Sequence, residues 1–201
     1  AKVTGGGCEK ELIGKRITAA ANAIIALEPQ LTAWDEICGD GDCGITMKRG
    51  ATQVLADLKT YPTDAANVMA SVADSVNNSM GGTSGALLQI FFRAAGTSLA
   101  EGASEAAAFQ AGVDAMMFYG NGQKGFRTML DSLIPAAEAW TAGKDLAAVA
   151  AAAKAGAKET ETMSANAGRA NYVNEDAYKG TPDPGAMAVA GALEAIAGVQ
   201  Q

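Results

Sequence analysis

Three aspartates, Asp35, Asp40 and Asp42, lie in one short glycine-punctuated segment, residues 34–44. The glycines let the backbone turn tightly, so that the three side chains can converge. Carboxylates brought together repel one another unless a cation lies among them, and oxygen ligands suit Mg²⁺ or Ca²⁺. The segment predicts a divalent metal site. A solvated acidic turn between two helices is the alternative that these residues leave open.

A second glycine-rich stretch, residues 80–86, stands directly before an apolar helix predicted over 87–99. Thr83 or Ser84 is the expected N-cap. Unpaired backbone N–H groups and the positive end of the helix dipole favour an anion at such a position. The stretch therefore predicts a phosphate-binding turn, and a plain helix–helix connector is the alternative.

The composition limits which partners the chain can bind and which kinds of catalysis it can perform. The 201 residues carry a net charge of −7 without a run of Lys or Arg, which argues against nucleic acid as a partner. No apolar run is long enough to span a bilayer, and the start of the chain does not resemble a signal peptide. Three cysteines without metal-site spacing, Cys8, Cys38 and Cys43, favour a reduced, cytoplasmic setting. The chain has no histidine, so it cannot supply an imidazole base or nucleophile.

Apolar residues recur at helical spacing through most of the chain and predict an all-α fold of eight helices. Pro29 is expected to end the first helix, Pro135 to kink the sixth, and residues 164–183 to form an irregular lid or a disordered segment. In an up-and-down bundle, the loops at one rim come together. The predicted helices cover about 9–28, 44–58, 64 to at least 76, 87–99, 102–119, 127–141, 144–163 and 186–199.

Five ordered motifs together resemble the nucleotide-binding domain of dihydroxyacetone kinases, the C-terminal half of the ATP-dependent enzyme. The resemblance covers nearly the full chain. The motifs are Asp35-x4-Asp40-Gly-Asp42-Cys-Gly44, Met80-Gly-Gly-Thr-Ser-Gly-Ala86, Arg127-Thr-Met-Leu-Asp131, Gly168-Arg169-Ala170 and Asp183-Pro-Gly-Ala186.

The resemblance implies a barrel of eight antiparallel helices with ATP bound at one rim. It implies two Mg²⁺ ions held by Asp35, Asp40 and Asp42, with ATP as the substrate. Arg169 lies in a matching motif, but the resemblance gives it no assigned role. The implied ATP-binding residues are Asp40, Gly41, Asp42, Cys43, Gly81, Gly82, Thr83, Ser84, Gly120, Thr128, Met129, Asp183, Pro184 and Gly185.

The family divides the reaction between two domains. Its substrate is held covalently by a histidine of a separate dihydroxyacetone-binding kinase domain, which this histidine-free chain lacks. The resemblance thus implies that residues 1–201 form a single ATP- and magnesium-binding domain of a two-domain, homodimeric enzyme. Such a domain is expected to be inactive alone and to contain no catalytic residue of its own.

Other functions compete with this interpretation. In the phosphotransferase-system version of the family, a separate subunit keeps ADP as a permanent cofactor and typically carries His where this chain has Cys43. An EF-hand calcium module needs a different spacing of acidic residues, and a haloacid-type phosphatase needs a strand before its Asp pair. In a scaffold, every glycine-rich loop is only a connector, and Mg-ATP does not change the melting temperature.

Overall fold

The computed structural model describes residues 6–199, with side chains from residue 10 onward, and this part of the chain is entirely helical. The eight predicted helices are present, and a four-residue helix, α8, is added within the segment predicted to be irregular. The helices are α1 (Gly6–Cys38), α2 (Cys43–Asp57), α3 (Ala65–Ser79), α4 (Gly82–Ala100), α5 (Glu105–Gly120), α6 (Leu130–Thr141), α7 (Leu146–Glu159), α8 (Glu175–Tyr178) and α9 (Pro184–Ala197).

The eight long helices form a closed ring. Each packs against the next along the chain, and α9 packs against both α7 and α1. Short connections make neighbouring helices antiparallel, so that the structure confirms the all-helical barrel. We call the end that contains residues 39–42 the acidic end. It also gathers the starts of α4, α6 and α9 and the ends of α3, α5 and α7.

The barrel interior is filled by apolar side chains and by close helix contacts at glycines. A Cβ on Gly112 would lie 2.6 Å from the Phe91 ring, and one on Gly156 would lie 2.0 Å from the Asp131 carbonyl oxygen. Packing at this density explains why the chain is rich in Gly and Ala. The main core includes Leu31, Met47, Val54, Val68, Val72, Val76, Phe91, Val113, Met116, Leu130 and Leu133.

Helix α1 does not end at Pro29, and this prediction was wrong. Pro29 lies inside the helix, which continues to Cys38. Leu31 is fully buried in the main core, and Cys38 is 2% exposed in contact with Tyr178 and its neighbours. This packing of the last part of α1 outweighs the hydrogen bond that the proline removes. Asp35 therefore lies on a helix and not in a loop.

Other helix ends also differ from the predicted ones. Neither Thr83 nor Ser84 caps α4, because the helix begins at Gly82 with Gly81 as its N-cap. Helix α6 begins at Leu130, after Arg127 adopts a left-handed backbone with φ of 60°. Helix α7 stops at Glu159 and is followed by the 3₁₀ turn Thr160–Thr162.

The segment from residue 164 to 182 leads from that turn to α9 and lies at the acidic end. It contains the 3₁₀ turn Arg169–Tyr172 and helix α8.

No helix within residues 6–199 has the length and apolar character needed to cross a membrane. The side chain of Cys8 lies outside the described residues.

Candidate metal centre

The three aspartates singled out from the sequence converge in the structure. One carboxylate oxygen from each of Asp35, Asp40 and Asp42 lies within 4.8 Å of those of the other two. They come from the last turn of α1, from the connection between α1 and α2, and from the N-cap position of α2. An all-oxygen set of three acidic groups matches the ligands of a hard divalent cation. The donor set therefore fits Mg²⁺.

Asp35 is oriented by the backbone around it. Its Oδ2 accepts hydrogen bonds from the N–H groups of Asp42 at 2.8 Å and Cys43 at 2.9 Å. The side chain is buried, and a Cβ at Gly39 would lie 2.2 Å from its Oδ1. Only glycine leaves room for the carboxylate at this turn. These contacts fix the connection and the first turn of α2 around one carboxylate.

The other two carboxylates are more exposed and less constrained. Asp42 stands at the N-cap of α2, but its side chain makes no capping hydrogen bond. Asp40 forms an ion pair with Arg169 of the 164–182 segment, with 3.2 Å between Nη2 and Oδ2. A cation entering the cluster would compete with Arg169 for Asp40. Unlike Asp35, the Asp42 side chain accepts no capping hydrogen bond, and it is exposed to a ligand from solvent.

Asp183 lies beside this cluster and caps α9. Its Oδ2 accepts from the N–H of Ala186 at 2.7 Å, and its own N–H donates to the Thr160 hydroxyl at 2.8 Å. Burial raises the pKa of Asp183 from its ordinary value of 3.8 to about 6. The capping N–H group and the Arg127 cation oppose this rise, and the Asp35 carboxylate adds to it.

Cys43 is half-buried between the same acidic groups. Burial, followed by the negative charges of Asp183, Asp35 and Asp42, raises the pKa of its thiol far above the ordinary value. The thiol stays protonated at neutral pH and is a poor metal ligand, since thiolate is the coordinating form. Cys43 contributes its backbone N–H, which binds Asp35.

The loop before α6 is held by a buried carboxylate that sequence reasoning did not select. Asp131 is 1% exposed, and its two oxygens accept from the N–H groups of Gly125 at 2.5 Å and Thr128 at 2.8 Å. Met129, the residue after Thr128, is buried. A Cβ on Gly185 would lie 3.6 Å from the Met129 Cβ, so the 127–131 and 183–186 motifs meet at the acidic end.

The glycine-rich stretch 80–86, the predicted phosphate-binding turn, lies at the start of α4 at the acidic end. Gly82 has φ of 68°, a left-handed conformation that favours glycine, and Gly81 offers no side chain to cap the helix. The first N–H groups of a helix have no partner within it, so those of Gly82, Thr83 and Ser84 are suited to bind an anion. These residues lie at the same end of the barrel as the aspartate cluster.

Two further residues border that turn. Arg49 of α2 donates from Nε to the Ser79 carbonyl at 2.5 Å, and its Nη2 lies 3.8 Å from a Cβ built on Gly81. Gly120, at the end of α5, faces Leu87 of α4, where a Cβ would lie 3.0 Å from the leucine Cδ2. Arg49 was missed because a lone arginine on a helix gives no sequence signal.

Comparison with known proteins identifies the family. A family model described as "DAK2 domain" matches residues 37–198. The chain belongs to the DAK2 domain family. The match contains four of the five motifs in full and, of the first motif, residues 37–44.

Named relatives and solved structures agree with this assignment. A Solanum lycopersicum protein with the provisional name 3,4-dihydroxy-2-butanone kinase is 43% identical over 90% of this chain and 33% of its own length. The Triokinase/FMN cyclase of Rattus norvegicus is 39% identical over 98% of this chain and 36% of its own. The DAK2 chain thus spans about a third of the curated relatives it matches.

The crystal structure of the C. freundii dihydroxyacetone kinase superposes with a TM-score of 0.83 at 33% identity, over 98% of this chain and 36% of that one. A second crystal structure, of the C. freundii kinase in complex with AMP-PNP and Mg²⁺, gives a TM-score of 0.79 at 32% identity, over 98% and 34%. At this identity the likeness extends beyond the fold to the sequence.

Proposed function

We propose that this DAK2 domain binds Mg-ATP and supplies the γ-phosphoryl group for phosphorylation of dihydroxyacetone. The observation that carries the proposal is the convergence of Asp35, Asp40 and Asp42, with oxygens within 4.8 Å, at the end of the barrel where α4 begins. The name of the C. freundii relative and its complex with AMP-PNP and Mg²⁺ support the proposal.

The three aspartates would hold two Mg²⁺ ions, which neutralise phosphate charge in this class of reaction. Asp35 is fixed by two N–H groups and a glycine, whereas Asp40 and Asp42 are exposed toward solvent. Mg²⁺ usually keeps several waters and takes one or two carboxylates together with phosphate oxygens. Three carboxylates shared between two ions fit that coordination habit.

The chain's own residues would bind and orient the nucleotide. The N–H groups of Gly82, Thr83 and Ser84 would donate hydrogen bonds to phosphate oxygens at the positive end of the α4 dipole. Because metal ions and a helix N-terminus supply the positive charge, no Walker-type lysine is required. The other proposed nucleotide contacts are Gly41, Cys43, Gly81, Gly120, Thr128, Met129, Asp183, Pro184 and Gly185.

We propose that the substrate is held by a separate kinase domain of the same polypeptide, in a cytoplasmic homodimeric enzyme. The chain covers only about a third of its relatives and contains no histidine for covalent capture of a ketone. The domain by itself would bind Mg-ATP without turning over dihydroxyacetone.

Reconstitution tests this proposal. The chain is mixed with Mg-ATP and dihydroxyacetone, with or without a separately produced substrate domain from the same source organism, and ADP formation is measured. We expect turnover only with both domains and its loss in Asp42→Asn. Efficient turnover by the chain alone would contradict the division of labour. Nucleotide that survives dialysis and is rephosphorylated only by a phosphocarrier protein would instead favour the ADP-cofactor subunit.

A further inference from the structure

Arg127 is the largest fully buried side chain among the described residues. Its Nη2 donates to the Thr181 carbonyl at 2.8 Å, and its guanidinium carbon lies 4.5 Å from the ring centroid of Tyr178. Its Nε and Nη1 have no hydrogen-bond partner. A buried cation with two unpaired donors is costly to the fold. An apolar side chain of similar volume would avoid that cost, so stability alone does not account for an arginine here.

The Thr181 carbonyl and the Tyr178 ring both belong to the 164–182 segment. On the barrel side, the Arg127 cation also opposes the rise in the pKa of Cys38 and of Asp183 that burial causes. Tyr178 ends α8 and Thr181 follows it, whereas Arg127 lies in the loop before α6 with a left-handed backbone. The Tyr178 hydroxyl accepts from the N–H of Ala165 at 3.0 Å. One arginine therefore joins the barrel to the tyrosine about which the segment is built.

The rest of the segment packs around that tyrosine in a small apolar cluster of its own. Tyr178, Ala165 and Ala170 are buried together with Cys38 from the end of α1, and Val173 packs against them. This cluster does not include the residues of the main barrel core. Contacts that join the segment to the barrel include Cys38, the Arg127 side chain and the packing of α8 on α1. Two backbone hydrogen bonds, from Asn166 to Phe126 and from Gly180 to Glu161, add to them.

The segment carries Arg169, which is adjacent to buried Ala170. The Arg169 side chain is 73% exposed, and its ion-pair partner is Asp40 of the aspartate cluster. An exposed side chain of this length has no fixed position of its own. The placement of Arg169 therefore depends on the packing of Ala170 and hence on the anchoring of the segment.

We propose that Arg127 is a positioning residue that holds the 164–182 segment against the acidic end and thereby sets Arg169 beside the metal-binding aspartates. Its unpaired donors reflect a geometry selected for stacking on Tyr178 and reaching Thr181. The anchoring is independent of the proposed function, whereas its effect on nucleotide binding rests on that function.

Hydrogen–deuterium exchange tests the anchoring without any ligand. In Arg127→Gln, backbone amides of residues 164–182 should exchange at least tenfold faster, while those of α3 and α4 stay protected as in the unchanged chain. Arg93→Gln removes an exposed arginine that pairs with Asp74 and serves as the matched control. Unchanged protection of 164–182 in Arg127→Gln would overturn the proposal.

A second variant covers the case in which Arg127→Gln fails to fold. Tyr178→Leu keeps an apolar residue in the cluster but removes the ring under the guanidinium and the hydroxyl that binds Ala165. It should release the same amides while the barrel helices remain protected. Retention of wild-type exchange rates in Tyr178→Leu would also overturn the proposal.

Ligand titrations separate positioning from a general loss of structure. With Arg169 released from Asp40, Mg²⁺ alone should bind Arg127→Gln about two- to fivefold more tightly, the range expected for an exposed ion pair. Mg-AMP-PNP should bind at least tenfold more weakly if, as this proposal implies, Arg169 held beside Asp40 places its positive charge next to the phosphate groups of a nucleotide bound at the aspartate cluster. Arg127→Lys, which keeps the charge, should recover part of that loss.

Opposite shifts for Mg²⁺ and Mg-AMP-PNP are the signature of positioning, since destabilisation alone would weaken both. Parallel weakening would contradict the positioning role. If the unchanged chain binds no Mg-AMP-PNP but Arg127→Gln still releases the segment, the proposed function fails and the anchoring by Arg127 stands.

Discussion

The Asp35 carboxylate lies so close to the Gly39 backbone that a Cβ there would be 2.2 Å from Oδ1. Gly39→Ala should therefore displace the carboxylate and weaken Mg-AMP-PNP binding at least tenfold, measured by calorimetry. Gly14→Ala, inside α1, meets no atom within 4 Å and should leave affinity unchanged, while stabilising α1 by about 0.5–1 kcal/mol. Equal affinities for the two variants would contradict the tight packing at position 39.

Substitutions of Asp42 and Asp35 should have different effects on nucleotide binding and on stability. Asp42→Asn should abolish Mg-dependent nucleotide binding and leave the melting temperature in EDTA unchanged or slightly raised, because the Asp42 side chain caps nothing and its charge repels its neighbours. Asp35→Asn should lose binding and also about 1–3 kcal/mol of stability, because it receives two buried N–H donors. Calorimetry and thermal melts measure the two effects, and equal stability losses would disagree with these roles.

The left-handed glycine at the start of α4 gives a third test. Gly82→Ala and Gly102→Ala both place a side chain at positive φ, 68° and 88°, and both have open space around the added Cβ. Each should cost about 1–2 kcal/mol. Only Gly82→Ala should weaken Mg-AMP-PNP binding, because Gly102 lies in the α4–α5 connection at the other end of the barrel. An equal loss of affinity in Gly82→Ala and Gly102→Ala would show that the phosphate groups do not bind at the start of α4.

Asp183 predicts a specific pH dependence. Its folded pKa of about 6 lies above the ordinary 3.8, so between these values the folded state binds more protons than the unfolded state. Its contribution is therefore present below pH 4 and is lost as pH rises to 6, on the order of 3 kcal/mol. Asp183→Asn keeps a good N-cap but cannot ionise.

Melts of the unchanged chain and Asp183→Asn, both in EDTA from pH 4 to 7, measure this effect. The stability of the unchanged chain relative to the variant should fall across that range and level off above pH 6. A difference that stays constant with pH would contradict the raised pKa.

The features predicted correctly from sequence are those encoded locally. The apolar residues at helical spacing predict eight long helices, and Asp64 caps α3 by accepting from the Asn67 N–H. The glycines near Asp40 and Asp42 make the convergence of the aspartates possible. Arg169 was noted for its motif, but its pairing with Asp40 depends on a fold contact far along the chain.

The errors arise where distant packing outweighs a local signal. Pro29 is a sound helix breaker in isolation, yet burial of Leu31 and Cys38 carries α1 through it. Arg127 and Asp131 looked like ordinary motif members in sequence. Their burial is visible only when residues 125–131 meet the 164–182 segment and α7, so their roles could not be predicted from spacing.

The most direct test of the proposed metal and nucleotide site is calorimetric titration of the chain with AMP-PNP, in Mg²⁺ and in EDTA. The same titration is made with the double variant Asp40→Asn, Asp42→Asn. We predict saturable binding by the unchanged chain only in Mg²⁺, and none by the double variant despite an unchanged helical spectrum. Binding that survives both EDTA and the double substitution would contradict a magnesium-dependent site at the acidic end.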